Sequence, residues 1–234
     1  MRKNKFFIFA SFIIGSFLLS GCLKDDEYTP VPVAGLTMVN GFTDDQGLIF
    51  YIGQRAVEPL MYRTFAGVNV LEGNRNMMVR SLNSRESLID TTVTIMDSTY
   101  YSSFVFGVSD QPKHFITEDK AVESSLENNE AAIRFFNAAE LDGNVSLQIG
   151  SQDLEPSFQN RPVDNQVSAT EHQDFLAKTS GTFTLTAKDA SGNTLATRES
   201  VKLEAGGYYT LILLGDPNND STPLYIGVIG QAVN

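Results

Sequence analysis

The sequence predicts an all-β protein: two tandem immunoglobulin-like β-sandwich domains preceded by an export signal. Three observations predict it. Short runs alternate apolar with polar residues, glycine- and asparagine-bearing turns separate those runs, and the second half of the chain repeats the first.

The alternation is clearest at Thr182–Lys188. Phe183, Leu185 and Ala187 fall on one face there, and Thr182, Thr184, Thr186 and Lys188 on the other. That is the period of a half-buried strand. Val201 and Leu203 alternate with Lys202 and Glu204, and Val93 and Ile95 with Thr92 and Thr94. Between two such runs, Asp189-Ala190-Ser191-Gly192-Asn193 reads as a hairpin turn, with Gly192 free to adopt a positive φ. Short strands divided by turn signals favour a sandwich or a barrel. The apolar run Leu224 to Val233 reads as the last strand of the second sheet, or else as an edge element for a partner.

The repeat has a measurable offset. Met38-Val39-Asn40 resembles Phe135-Phe136-Asn137, and Phe50–Gly53 resembles Leu147–Gly150, both 97 positions on. Tyr100-Tyr101 through Gly107 resembles Tyr208-Tyr209 through Gly215, now 108 positions on. Duplication followed by an 11-residue insertion gives this pattern, and the insertion is expected around Glu171 to Lys178. A period this long makes each copy a domain rather than a solenoid unit. The expected boundaries are 34–117 and 131–234, with the acidic stretch 118–130 as a linker that could hold a helical turn over Ala121–Leu126.

The second copy holds Phe136-Asn137-Ala138-Ala139, a mid-chain strand ending in Gly150, and Ala205-Gly206-Gly207-Tyr208-Tyr209-Thr210. Together these resemble an uncharacterised family of exported bacterial β-sandwich domains, domain of unknown function 4397. The resemblance spans most of 34–230 and is stronger in the second copy. In the first, Met96-Asp97-Ser98-Thr99 stands where the Ala-Gly turn belongs. The resemblance implies fold and export, and no chemistry.

The amino terminus reads as a lipoprotein signal peptide over residues 1–21. Arg2, Lys3 and Lys5 are followed by an apolar run, Phe6 to Leu19, too short for a spanning helix. Leu19-Ser20-Gly21-Cys22 resembles the bacterial lipobox, in which the cysteine is acylated and becomes the first residue. Two or more acyl chains anchor a protein stably. Cys22 is the chain's single cysteine, so no disulfide can form within it. Next, Lys24-Asp25-Asp26-Glu27 resembles a surface-export signal of some Gram-negative lipoproteins; the alternative is a solvated tether. Residues 22–33 are then a lipidated linker, extended by Pro30 and Pro32. The resemblances imply an outer-membrane, surface-exposed protein held by lipid.

The composition, 42% hydrophobic and 19% charged, suits a folded core. Of 17 Lys and Arg, three lie in the signal, leaving 14 against 28 Asp and Glu, a net charge of −14. Such a chain offers no basic surface for nucleic acid. His114 and His172 lack metal-spaced partners, and no phosphate-binding or nucleophile-elbow motif is present. No cofactor and no catalytic residue is expected, although a triad assembled from distant residues around either histidine remains an alternative. Asp216, Asn218 and Asp220 alternate oxygen ligands as calcium loops do, but without the glycine and distant glutamate of such loops. They also read as a polar inter-strand loop. Tyr100, Tyr101, Tyr208 and Tyr209 could stack on sugars, yet one of each adjacent pair must face a core. Asp90-Thr91-Thr92, Asp97-Ser98-Thr99 and Asp220-Ser221-Thr222 resemble a bacterial O-glycosylation signal.

The leading functional expectation is a non-catalytic envelope module for binding, adhesion or assembly. A glycan- or peptide-binding accessory of nutrient uptake is the alternative, and a hydrolase with a distant triad the second. Replacing Cys22 by Ala should move the protein from the detergent phase to the aqueous phase in a Triton X-114 partition of expressing cells. Retention in the detergent phase would refute lipid anchoring at that thiol.

Overall fold

The computed structural model describes residues 31, 33–44, 47–151 and 154–234. The export signal, Cys22 and Lys24–Glu27 lie outside the described residues. In the first half the strands are β1 (Val33–Phe42), β2 (Gly47–Ile52), β3 (Arg55–Ala56), β4 (Leu60–Met61), β5 (Phe65–Leu71), β6 (Gly73–Ser81), β7 (Ser87–Ile95), β8 (Tyr100–Val108) and β9 (Gln111–Glu118). The second half holds β10 (Glu130–Ala139), β11 (Val145–Ile149), a 3-10 turn at Pro156–Phe158, helix α1 (Gln166–Glu171), β12 (Leu176–Thr179), β13 (Gly181–Asp189), β14 (Thr194–Leu203), β15 (Tyr208–Gly215) and β16 (Tyr225–Gln231). The described residues are nearly all β, as expected.

Each half is a sandwich of two sheets. In the first, an inner sheet ordered β5-β1-β8-β9 faces an outer sheet ordered β3-β2-β6-β7, to which β4 adds through β2. In the second, an inner sheet β12-β10-β15-β16 faces an outer sheet β11-β13-β14. The inner sheets share one topology, including a central parallel pair. Gly35 pairs with Tyr100 across the first, and Ala132 with Tyr208 across the second, so the offsets of 97 and 108 hold in the ladders. By β12 the offset is already 108, because Leu36 pairs with Val68 and Ile133 with Leu176. The 11-residue insertion therefore precedes Leu176, in the segment that carries the 3-10 turn and α1, rather than extending to Lys178.

Alternation along each strand builds the cores. Leu36, Met38, Tyr101 and Val105 point to one side and pack on Phe50, Met77 and Val79 of the first outer sheet. Ile133, Phe135, Leu211 and Leu213 pack likewise on Leu147, Leu185 and Ala187. The opposite faces of the inner sheets are apolar as well. Val39, Phe104, Phe106 and Phe115 meet Phe136, Ala138, Ile212 and Leu214 in a third core between the halves. The four layers thus form one compact unit, Pro32–Asn234. Inner strands buried on both faces lose polar alternation, which is why Ala131–Ala139 is buried without a break.

The connection 119–129 contains no helix; the turn over Ala121–Leu126 is replaced by bends, with Ala121 N–H donating to Asn234 O. Asp119 at its start is buried. The run Leu224 to Val233 supplies β16, the last strand of the second inner sheet.

The insertion also covers an edge of the first half. Gln166 accepts from Ile116 N–H and donates to Ile116 O, both at 2.9 Å, and Gln173 accepts from Glu118 N–H at 3.0 Å. Two glutamine side chains thereby occupy backbone groups of β9 that would otherwise template another strand.

Phe136 is fully buried, with ring centroids 5.4 Å from Phe104 and 5.1 Å from Phe115. Phe136→Ala should lower the unfolding free energy by about 3–5 kcal/mol, read by urea denaturation. A loss below about 1 kcal/mol would mean that the inter-sandwich core contributes little.

Candidate functional site

The residues that carried the family resemblance are structural. Asn40 and Asn137, equivalent in the two halves, make the same two bonds. Each side-chain oxygen accepts from the N–H two residues on, in Phe42 or Ala139. Each side-chain amide donates across to a backbone carbonyl, Leu60 O at 2.8 Å or Arg161 O at 3.2 Å. The tyrosines behave likewise. Tyr101 Oη accepts from Met96 N–H at 3.2 Å and Tyr209 Oη from Glu204 N–H at 3.0 Å, fastening the corner before the strand. In that corner Gly206 has φ +76, and Ser98 takes its place in the first half at φ +56. The Ala-Gly turn missing from the first copy is thus formed without glycine.

A buried polar ring lies at the margin of the inter-sandwich core. Fully buried Arg134 donates from Nη2 to Asp119 Oδ1 at 2.5 Å, and from Nε to Thr210 Oγ1 at 2.9 Å. Ser102 Oγ lies 2.7 Å from Asp119 Oδ2 and 3.1 Å from Gln231 Oε1; Gln231 Nε2 donates to Thr210 Oγ1 at 3.0 Å, closing the ring. The Arg134 guanidinium sits 4.4 Å from the Phe175 ring centroid and 5.2 Å from that of Phe136. Burial raises the Asp119 carboxyl and lowers the Arg134 guanidinium, while their mutual attraction opposes both shifts. The guanidinium stays protonated in proteins, and its contact with the carboxyl is a buried salt bridge. Its role is structural, since every member is satisfied internally.

Among the described residues, His114 has Ser103 as its hydrogen-bond partner, with Nε2 3.1 Å from Oγ. Ser103 is fully buried and also lies 3.5 Å from the Met77 sulfur. No carboxylate among the described residues hydrogen-bonds to either side chain, and the hydroxyl belongs to a fully buried residue. His172 caps the end of α1 through its backbone N–H and is half-buried, and among the described residues its ring has no serine hydroxyl partner. The described residues therefore do not assemble the distant triad around either histidine.

The Asp216–Asp220 loop folds on itself. Asp216 Oδ1 accepts from Asn218 N–H at 2.8 Å, and Asp216 O from Asn219 N–H at 3.1 Å. Among the described residues no group of three or more His, Cys, Asp or Glu stands close enough to hold a metal. Ser98 and Ser221 are exposed and Thr91 half-buried, while Thr99 and Thr222 are buried.

The open concave surface lies elsewhere, on the inner sheet of the first half beyond its contact with the second. Asn69, Gly35 and Tyr100 form one row across β5, β1 and β8. Gly35 leaves a gap that the Tyr100 ring enters; a Cβ on Gly35 would stand 2.4 Å from Tyr100 Cδ1. The ring packs over Gly35, and the residue remains 37% exposed. Tyr100 lines a hollow of about 410 Å³, and a second of about 360 Å³ adjoins it, sharing Arg55, Val68 and Asn69. Thr37 adds a hydroxyl to the first and Val57 an apolar wall to the second. The equivalent Tyr208 is closed off: Phe175 packs edge-on at 5.3 Å, and its Oη accepts from Val122 N–H. The sequence singled out Tyr100. It did not reveal Arg55 and Asn69, because their approach depends on strand order, and the glycine opposite Tyr100 was the available signal.

The match to known families falls on the same half. Residues 34–148 match the family model described as domain of unknown function (DUF4397). The segment is similar to the DUF4397 family. The DUF4397 match covers the first sandwich and the first two strands of the second, whereas the resemblance was expected to be stronger in the second copy; there the insertion interrupts the spacing. No curated protein matches the chain. Among solved structures, a family 26 carbohydrate-binding module of Eubacterium rectale Amy13K, in complex with maltoheptaose, is 11% identical with a TM-score of 0.24, covering 86% of this chain and 98% of its own. A DUF3823 family protein from Bacteroides ovatus is 12% identical with a TM-score of 0.22, covering 74% and 99%. These overlaps are too low to argue from.

Burial lowers the His114 pKa from 6.5 to about 4. The unfolded chain then binds the proton more readily, so this contribution to stability is complete above about pH 6.5 and lost as pH falls towards 4. His114→Gln should flatten the pH dependence of the urea midpoint over that window. An unchanged slope would place the titrating group elsewhere.

Proposed function

We propose that this chain is a non-catalytic, lipid-anchored binding module of the cell envelope, and that the Tyr100 groove is where it takes a saccharide. The observation that carries the reading is the exposed Tyr100, packed over Gly35 in a hollow that Asn69 and Arg55 also line. A sugar presents an apolar C–H face and a rim of hydroxyls. An aromatic ring answers the first, and amide, guanidinium and hydroxyl groups answer the second. The packing of the ring over Gly35 limits the side-chain freedom lost on binding. Both hollows are shallow and open along the sheet, a shape suited to a segment of a chain rather than to an enclosed small molecule.

The lipid anchor at Cys22 and the Lys24–Glu27 signal support an outward-facing location. A mature net charge of −14 keeps such a domain soluble and away from anionic lipid.

Soluble neutral polysaccharides should bind saturably in affinity electrophoresis. Tyr100→Ala should weaken binding at least tenfold, with Tyr208→Ala as a control that leaves it unchanged. Equal retardation of wild type and Tyr100→Ala, at unchanged melting temperature, would rule the groove out. Protease shaving of intact cells tests the location separately.

A further inference from the structure

A second hollow lies on the seam between the two sandwiches. It measures about 210 Å³ and is lined from the first half by Val39, Arg63 and Phe65, and from the second by Arg198, Ile212 and Tyr225 among others. Interfaces between packed domains are preferred places for small-molecule sites. This one concentrates positive charge in an acidic chain. The guanidinium carbon of Arg63 stands 4.4 Å, and that of Arg198 5.3 Å, from the Tyr225 ring centroid. No Asp or Glu lines the hollow. Asp216 acts on the nearby Tyr62 without lining it.

Both arginines are held by backbone rather than by acids. Arg63 Nη2 donates to Pro223 O at 2.6 Å, and Arg198 Nη1 donates to Ile226 O at 2.9 Å. Neither makes a salt bridge among the described residues. Each guanidinium keeps further N–H donors, and the planar fork suits a carboxylate. Two guanidinium cations line the one hollow, and an anion held there would offset their repulsion. The remaining wall is apolar, with Phe65 46% exposed at the rim.

We propose that this seam hollow binds a small organic carboxylate, its charge received by Arg63 and Arg198 and its carbon skeleton by Phe65, Ile212 and Tyr225. The volume admits one ring-sized unit. The net charge of −14 turns polyanions away at long range, so the ligand carries one acidic group. The same carboxylate chemistry occurs in a sugar acid and in a free aromatic acid. The site is separate from the Tyr100 groove and does not depend on it.

Isothermal titration of the full mature protein with glucuronate, benzoate and inorganic sulfate tests this. The expected result is one-to-one binding of a carboxylate that weakens with added salt. It should fall at least tenfold in Arg63→Gln and in Arg198→Gln, and be unaffected by Tyr100→Ala. Tighter glucuronate binding assigns the ligand to sugar acids, and tighter benzoate binding to free aromatic acids. Because Arg198 also ties β14 to β16, Arg198→Lys, which keeps the charge, should fold like the wild type and retain partial binding. Sulfate binding as tightly as either carboxylate overturns the assignment, since the hollow would then read charge alone. Absence of carboxylate binding at millimolar concentration, or binding that survives both Gln substitutions, also overturns it.

Discussion

The apolar surface shared by the two inner sheets is the constraint on which the rest of the structure depends. A sandwich normally leaves the outer face of each sheet to water. Here Phe104, Phe106 and Phe115 on one side, and Phe136, Ile212 and Leu214 on the other, remove the facing parts of the two inner sheets from solvent. The central strands are consequently apolar on both sides, and little freedom is left to their sequence. Gly41 shows how close the approach is: a Cβ there would stand 2.4 Å from Leu214 Cδ2. Equivalent positions build the surface from each side, with Val39 matching Phe136 and Phe104 matching Ile212 at the repeat offsets.

Polar groups at the margin of that surface answer a different need. Hydrophobic contact alone has no direction and would tolerate sliding of one sheet on the other. The ring from Arg134 through Asp119, Ser102, Gln231 and Thr210 draws on β8, β10, β15, β16 and the inter-half connection, so each bond is satisfied in one relative placement. A buried ion pair contributes modestly to net stability, and losing one partner is costly because the other remains buried and charged. Lys113 Nζ and Glu140 Oε1, 2.7 Å apart, add a partly exposed link of lesser weight.

Much of the fold was legible in the sequence. Alternation at Thr182–Lys188 placed β13, and the paired offsets gave the duplication, because both follow from local periodicity. The packing of one half on the other was not legible, since strands buried on both faces lose the periodicity that reveals orientation, as Ala131–Ala139 does. The site was legible only in part. Tyr100 stood out as one of a tyrosine pair, but its freedom from cover follows from the lack of any counterpart to Phe175 over it. Arg63 and Arg198 are separated by 135 positions and meet only because Tyr225 follows a loop crossing the seam. The expected helical turn in 119–129 failed for a related reason: Asp119 is drawn out of the connection and into the buried ring.

The shortness of that connection has a consequence for assembly. The inner faces are related as the two sides of a symmetric dimer are, yet they belong to one chain. A tether of this length holds its ends at an effective concentration on the order of millimolar. Pairing of the halves is therefore independent of protein concentration and survives dilution. Fusion also freed the copies from remaining identical: one kept an open tyrosine, and the other acquired the insertion that seals its neighbour's edge.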